Sequence, residues 1–140
     1  MLGVKAYPRT YIEDCRARVE SDVAAYRDFG AVVSKQGAST TGDAFEPVFF
    51  NNLLLNLDYS FVHRLRTVEG KDGNPMNEVR VLCGSLLEHG GVLTADKSIK
   101  LTPEKSVLKL EYGQQIRLKE SQFQQICKAF FEEIERKFSD

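Results

Sequence analysis

The feature that most constrains this chain is a long apolar stretch, residues 47–68, that has no glycine and no proline after its first residue. Its apolar residues recur at the spacing of three and four that is typical of one helix face. They are Phe50, Leu53, Leu54, Leu57, Phe61, Leu65 and Val68. We therefore predict a helix over residues 47–68 that buries this stripe.

A second apolar set, Val48, Leu55 and Val62, lies on a neighbouring face of the same predicted helix. Together the two sets widen the apolar arc to about half of the helix circumference. A helix with so wide an arc is expected at the centre of the fold, with other elements packed on two of its sides.

Asn51 and Asp58 fall between the two apolar sets on the helical wheel. A carboxylate in such a place needs a cation or several hydrogen-bond donors. Arg16, Arg18 and Arg80 are the candidate partners. Two interpretations stay open for Asp58: a structural ion pair that fixes the helix register, and a ligand-binding or catalytic role.

Three further helices are predicted around the central one. The first begins at Thr10, and a long connection over residues 30–46, rich in Gly, Ser and Thr, follows it as a flexible crossover or a lid. The third begins after Gly73 with Asn74 as its N-cap and Pro75 in its first turn. The fourth begins near Glu120 and presents a stripe of Phe and Ile residues.

Residues 92–118 show alternating apolar and polar positions, for example Ile99 and Leu101 around Lys100. This period is typical of extended chain and predicts a short, hairpin-like flap between the third and fourth helices. The predicted fold is therefore mainly α, a four-helix bundle with this β-hairpin-like flap, and forms a single domain over residues 1–140.

Composition narrows the range of partners and of compartments. Lys and Arg number 19 against 20 Asp and Glu, so bulk charge gives no reason to expect nucleic acid or a membrane. Lysines near the flap could still contact nucleic acid, but the nearby glutamates argue against it. The apolar stretches fall short of the ~20 residues that span a bilayer. The N-terminus lacks an apolar signal core, so we expect a cytoplasmic protein.

Known chemical motifs are missing from the sequence. It has no phosphate-binding loop, no dinucleotide glycine fingerprint and no zinc-type cysteine spacing. Its three cysteines, Cys15, Cys83 and Cys127, are far apart and occupy core-like positions, which favours buried free thiols. We accordingly expect no metal and no cofactor.

One polar cluster surrounds the turn before the third helix: His63, Arg64, Arg66, Glu69, Lys71, Asn74, Asn77 and Arg80. Backbone N–H groups at a helix N-terminus favour an anion. The cluster is either a capped turn whose Arg and Glu residues pair, or a small-anion site. For the second interpretation the candidate ligand-binding residues are Asp58, His63, Arg66, Asn77 and Arg80.

The stretches FFNNLLLNLDYSFVHRLRTVEGKDGNPMNEVRVLC and AFFEEIERKF resemble a group of uncharacterised actinobacterial proteins. The resemblance extends over most of the chain. It implies a stand-alone cytoplasmic domain and transfers no activity and no catalytic residue.

The sequence leads to two hypotheses for the function. The first is a non-enzymatic binding or interaction module that forms a homodimer, because the central helix has more apolar surface than three amphipathic partners of a small domain can cover. The alternative is a small enzyme or a protein that binds a small anion. Its pocket would lie between the central helix, the 69–80 turn and the 92–118 flap.

Overall fold

The computed structural model of this chain describes residues 3–140 and is mainly helical, as the sequence predicts. Met1 and Leu2, where the stretch considered for a targeting signal begins, lie outside the described residues. The helices are, in chain order, α1 (Arg9–Lys35), α2 (Ser39–Ser60), α3 (Arg66–Glu69), α4 (Pro75–Glu88) and α5 (Glu120–Phe138).

Helices α1 and α2 form a hairpin that is joined only by residues 36–38. The long connection predicted over residues 30–46 is therefore wrong. Helix α1 continues to Lys35, Gly37 makes the turn with a φ of 72°, and Ser39 begins α2. Glycine after a helix and serine at the start of one are both common. The loop-like composition of residues 30–46 therefore reflects the end of one helix and the start of the next.

Helix α2 is displaced toward the N-terminus relative to the helix predicted over residues 47–68. It begins at Ser39, contains Pro47 within it and ends at Ser60. The chain then pairs with the N-terminal segment: the backbone N–H of Val4 donates to His63 O over 2.7 Å, and that of Leu65 donates to Val4 O over 2.8 Å. These bonds hold residues 63–65 in extended chain, so the helix cannot continue.

The same N-terminal segment also reaches the other end of the chain. Tyr7 and Ser139 form a parallel bridge, and the backbone N–H of Tyr7 donates to Phe138 O over 2.6 Å. The Tyr7 ring packs edge-on against Phe61, with 5.0 Å between the ring centroids. Residues 4–7 therefore connect the end of α2 with the end of α5.

The core forms around the inner face of α2, which contacts α1, α4 and α5. Phe50 of α2 packs against Phe123 of α5, with 5.5 Å between ring centroids. The other helices also bury apolar stripes: Ile12, Cys15, Val19 and Val23 in α1; Met76, Val79, Leu82 and Cys83 in α4; Phe123, Ile126, Cys127, Phe130, Ile134 and Phe138 in α5.

The second apolar set of α2 lies on the surface instead of in the core. Val48 is 54% exposed and Val62 is 38% exposed, and Leu55 is half-buried. Helices α1, α4 and α5 all contact α2. They cover the face opposite the core only in part: Phe45 stacks on Tyr26 of α1, with 6.4 Å between ring centroids, and Leu55 packs against the core.

Residues 89–119 link α4 to α5 without regular secondary structure. The described residues there form one antiparallel bridge, Val92 with Gln115, so neither the hairpin-like flap nor a regular four-helix bundle is confirmed. The segment does bury its alternating apolar residues, as the pattern indicates: Ile99, Leu101, Leu108, Ile116 and Leu118. It therefore covers part of the core as irregular chain.

We expect Gly73→Ala to destabilise the fold strongly. A Cβ at Gly73 would clash with the carbonyl oxygen of Lys100, and Lys100 is held in place because its backbone N–H donates to Lys71 O over 2.9 Å. Gly113→Ala is the matched control, because Gly113 has nearly the same positive φ, 90° against 88°, in open space. In urea denaturation, the free energy of unfolding should fall by about 1–2 kcal/mol for the control and by clearly more for Gly73→Ala. Equal decreases would contradict the close approach of Gly73 to Lys100.

Candidate functional site

Glu69, at the end of α3, is the centre of a buried polar network. Its side chain is fully buried. Arg64 Nε donates to Oε1 over 2.8 Å, and Arg80 donates to both carboxylate oxygens over 2.6 Å and 3.1 Å. Asn77 Nδ2 donates to Oε2 over 2.7 Å. Three side chains thus satisfy one carboxylate with charge-assisted and amide hydrogen bonds.

Arg64 joins this carboxylate to the end of α2. Its buried guanidinium donates to Asp58 Oδ1 over 3.0 Å and to the carbonyl oxygens of Phe61 and Met76 over 3.0 Å and 3.3 Å. It also stands over the Phe130 ring, 5.4 Å from its centroid. A buried cation is tolerated only when it is paired and hydrogen-bonded in this way.

The network balances two guanidinium groups against two carboxylates. Burial raises the pKa of Glu69, but the Arg80 hydrogen bonds, the charges of Arg64 and Arg80 and the Asn77 amide together lower that pKa below its ordinary value of 4.5. Burial opposes the charge of Arg80 too, yet its bond to Glu69 raises the pKa of the guanidinium. Both groups are therefore ionised at neutral pH and hold each other in place.

The turn before α4 is capped by side chains of the chain itself. Asn74 Oδ1 accepts the backbone N–H groups of Met76 and Asn77 over 2.9 Å and 3.1 Å, as the predicted N-cap requires. Asn74 Nδ2 and Lys137 Nζ both donate to the carbonyl oxygen of Glu69. Donors at this helix N-terminus are thus engaged internally, which favours the capped-turn interpretation of the cluster.

The structure brings together three of the five candidate ligand-binding residues. Asp58, Asn77 and Arg80 belong to the network around Glu69. His63 and Arg66 are exposed and lie outside its hydrogen bonds. The residues that form one constellation are therefore interior, polar and mutually satisfied, whereas the two exposed ones stand apart from it.

The partners predicted for Asp58 need correction. The cation that contacts it is Arg64, at 3.0 Å. Arg16 instead pairs with Glu135 on α5, and Arg18 donates to Ser60 Oγ. The reason is the early end of α2: the turn after Ser60 folds Arg64 back over Asp58, an approach that a helix continued to Val68 would not allow.

Arg64 and Glu69, the centre of the network, are absent from the predicted site although both stand in the wider polar cluster. A signal for Arg64 exists in the sequence. On the predicted helix it falls in the apolar stripe, seven residues after Leu57 and three after Phe61. A charge at such a position indicates either a buried ion pair or a helix that ends before it.

A cavity of about 180 Å³ lies beside the network, between α4 and residues 94–96. Arg80, Ser85, His89, Thr94 and Asp96 are among the residues that line it. Hydrogen bonds from Ser98 are the main cause of the lowered pKa of the Asp96 carboxyl, and the nearby cations Arg66 and Arg80 lower it further. Asp96 therefore already supplies a negative charge beside these cations.

Two other polar side chains, half-buried Asn51 and buried Glu78, hold the segment between α4 and α5. Asn51 accepts from the backbone N–H of Leu118 over 3.1 Å and donates to Ile116 O over 3.0 Å. Glu78 accepts the backbone N–H groups of Val107 and Leu108 over 2.7 Å and 3.0 Å, and burial raises the pKa of its carboxyl. Asn51, singled out by the sequence, thus has a structural role.

All three thiols are free and buried, in agreement with the sequence. Burial raises the pKa of Cys127 to about 12 and that of Cys83 well above its ordinary value, so neither is activated as a nucleophile. Within residues 3–140, no group of three or more His, Cys, Asp or Glu side chains could hold a metal ion. Over the same residues, none of the helices has the length and apolar character needed to cross a membrane.

The outer face of α2 is the second candidate surface. We call it the outer seam and define it by Phe45, Val48, Asn52, Leu55 and Tyr59, which lie opposite the core-facing residues of the helix, together with Val62 in the turn that follows. Tyr59 is 76% exposed. Phe29 and Val32 of α1 are also exposed and extend the apolar surface, with the Phe29 and Phe45 ring centroids 6.2 Å apart. Contiguous exposed apolar surface of this kind is typical of interaction sites.

Comparisons with protein-family models, with curated proteins and with solved structures find no match for this chain. The resemblance to uncharacterised actinobacterial proteins stays a prediction.

We expect the stability of the fold to fall with pH through the titration of Glu69. Because its pKa is lowered in the folded state, the unfolded chain binds the proton first, and this part of the stability is lost as the pH falls from about 4.5 through the folded-state pKa. Glu69→Gln should remove that contribution to the pH dependence and lower the free energy of unfolding at pH 7 by about 3–5 kcal/mol.

Urea denaturation between pH 3 and pH 7 measures both effects, with the exposed Glu111→Gln as the control for removal of a carboxylate. A Glu69→Gln variant with the same pH profile as the unmodified chain would contradict the role of the buried pair.

Proposed function

We propose that this chain is a non-enzymatic binding module that self-associates as a homodimer through the outer seam of α2. The observation that carries the proposal is the exposure of the outer seam. Val48 is 54% and Tyr59 76% exposed, although the sequence of α2 is apolar enough for a helix packed on two sides. Covering this surface with a second chain would remove it from water.

The buried network supports a binding role over a catalytic one. The carboxylate of Glu69 is saturated by Arg64, Arg80 and Asn77, and Arg64 also holds Asp58. A general base or a ligand-binding carboxylate needs a free oxygen directed at a pocket. In this proposal the network stabilises the structure at the end of α2, and no residue is assigned to catalysis.

The proposal includes the finer features that the sequence predicts for the scaffold. The four long helices act as a four-helix bundle that presents α2, and residues 92–118 act as a flap that covers the core. Three buried free thiols support a reducing compartment, and we place the module in the cytoplasm on that ground.

Tyr59→Glu and Val48→Glu should convert the dimer to a monomer. Each would bury an unpaired charge at the interface, and the loss of about 2 kcal/mol or more corresponds to roughly 30-fold weaker association. Native mass spectrometry and light scattering after gel filtration measure the mass. The matched control is Leu87→Glu, because Leu87 on α4 is 72% exposed and lies outside the seam.

Unchanged circular dichroism would show that the variants fold. An unmodified chain that stays monomeric at high micromolar concentration would end the homodimer proposal, and so would dissociation caused equally by Leu87→Glu.

A small-anion site is the second candidate, and the cavity beside Arg80 favours it. Its 180 Å³ would suit a small anion such as phosphate, and Arg66 and Arg80 lie near enough to Asp96 to lower its pKa. A phosphate would have to compete with the carboxylate of Asp96 for these cations, which makes this candidate the weaker one.

Inorganic phosphate is the probe for this candidate. Titration with it should raise the melting temperature of the unmodified chain by more than that of Arg66→Ala, because that variant keeps the buried network and loses a cation near Asp96 of the cavity. Arg117→Ala, at another exposed arginine, is the control. Equal shifts in all three proteins would exclude a specific anion site at this cavity.

A further inference from the structure

A groove of about 520 Å³ runs between α1 and α5. Its floor consists of Val19 and Val23 on α1 and of Cys127 and Phe131 on α5, all of them buried. No residue of the outer seam lines it, so it is separate from the surface proposed for self-association. A cavity of this volume, with an apolar floor and a few polar groups at its rim, is typical of small-molecule sites.

Two ion pairs between the helices mark the ends of the groove. Arg16 of α1 pairs with Glu135 of α5 and also lies over the Phe131 ring, 4.8 Å from its centroid. Arg27, further along α1, pairs with Glu120 at the start of α5. The two helices therefore run antiparallel along the groove. Arg16 and Arg27 are eleven residues apart, about 16 Å along the helix axis, which sets the length available to a ligand.

Two carboxylates face each other across the middle of this groove. Glu20 follows Arg16 by one helical turn on α1, and Glu132 precedes Glu135 by nearly one turn on α5. The antiparallel register therefore places Glu20 and Glu132 on opposite walls at the same level. Among the residues that the structure describes, neither carboxylate forms an ion pair or a hydrogen bond through its side chain. Both are thus able to receive a cation.

Lys128 is the third charge on the middle of the rim. It lies one turn before Glu132 on α5, and within the described part of the chain it likewise forms no ion pair. One ammonium against two carboxylates leaves the middle of the groove with an excess of negative charge. A cationic group on a ligand would complement this excess, whereas a carboxylate would add a third negative charge.

We propose that the groove binds a small organic amine whose ammonium lies between Glu20 and Glu132. The apolar body of the amine would run along the floor, over Val19, Val23 and Cys127. Hydrogen bonds from the ammonium to the two carboxylates are charge-assisted, and the floor removes the apolar body from water. The inference goes beyond the homodimer and does not depend on it, because the two surfaces share no residue.

The surroundings of Cys127 agree with this arrangement. Burial raises the pKa of its thiol to about 12, the charge of Arg16 lowers that pKa, and the charge of Glu20 raises it. The carboxylate of Glu20 is therefore close enough to the floor to act on it. At neutral pH the thiol is uncharged, so it offers apolar surface to the body of the amine and takes no part in covalent chemistry.

Phenylbutylamine is the probe for this site, and phenylpentanoate is its matched comparison, because it has the same apolar body with a carboxylate in place of the ammonium. Calorimetric titration of the full chain should show binding of the amine and about tenfold or weaker binding of the carboxylate. Amide chemical shifts in NMR spectra should change along the facing sides of α1 and α5. No binding of the amine, or equal binding of the two probes, would overturn this site and leave self-association standing.

Ala24→Trp tests the location of the site. Ala24 is exposed and lines the groove, so the indole ring should occupy the space of the apolar body and weaken amine binding by roughly tenfold. Ala25→Trp is the matched control, because Ala25 is exposed on the same helix and lies outside the lining. Circular dichroism records that both variants fold. Equal affinities of the two folded variants would place the binding elsewhere and overturn the proposal.

Substitutions of the three rim charges test the position of the ammonium. Glu20→Gln and Glu132→Gln should each weaken amine binding roughly fivefold, with the exposed Glu111→Gln as the control. Lys128→Gln should strengthen binding about twofold, because it removes a cation that competes for the same carboxylates. Weaker binding in Lys128→Gln, or unchanged binding in both groove glutamate variants, would overturn the proposal.

Discussion

The burial of Glu69 is the constraint on which the rest of this structure depends. A carboxylate inside a small domain is tolerated only with a nearly full set of donors, and the chain gathers these from three places: Arg64 after α2, and Asn77 and Arg80 on α4. The donors tie the turn after α2 to α4. They also leave little polar chemistry free in the interior, whereas the outer seam of α2 is exposed.

Helix α2 carries two periodic patterns at once. Its inner face, with Phe50, Leu54 and Leu57 fully buried, belongs to the core, and its outer seam lies on the opposite side. Part of that seam packs within the chain, whereas Val48 and Tyr59 are exposed. The unusual apolar content of α2 thus has two separate origins, one in folding and one in the association that we propose.

The sequence predicts the elements of this fold better than their boundaries. Helical periodicity identifies the core stripes of α1, α4 and α5, and local capping chemistry identifies Asn74, because both signals depend on near neighbours along the chain. The end of α2 depends instead on Val4, which lies about sixty residues earlier and takes the backbone bonds around Arg64. A prediction that misses this boundary assigns Asp58 the wrong partner and overlooks Glu69. The reason is that a helical wheel extended to Val68 separates residues that the observed turn brings together.

The bridge between the N-terminal segment and the end of α5 affects how this protein folds during its synthesis. The backbone N–H of Tyr7 donates to Phe138 O, so this bond forms only after residue 138 has left the ribosome. During synthesis α1 and α2 can form their hairpin and Val4 can bond to residues 63 and 65, but Arg64 lacks Phe130 beneath its guanidinium until α5 emerges. The nascent chain would therefore expose the seam of α2 before the fold that supports it is closed.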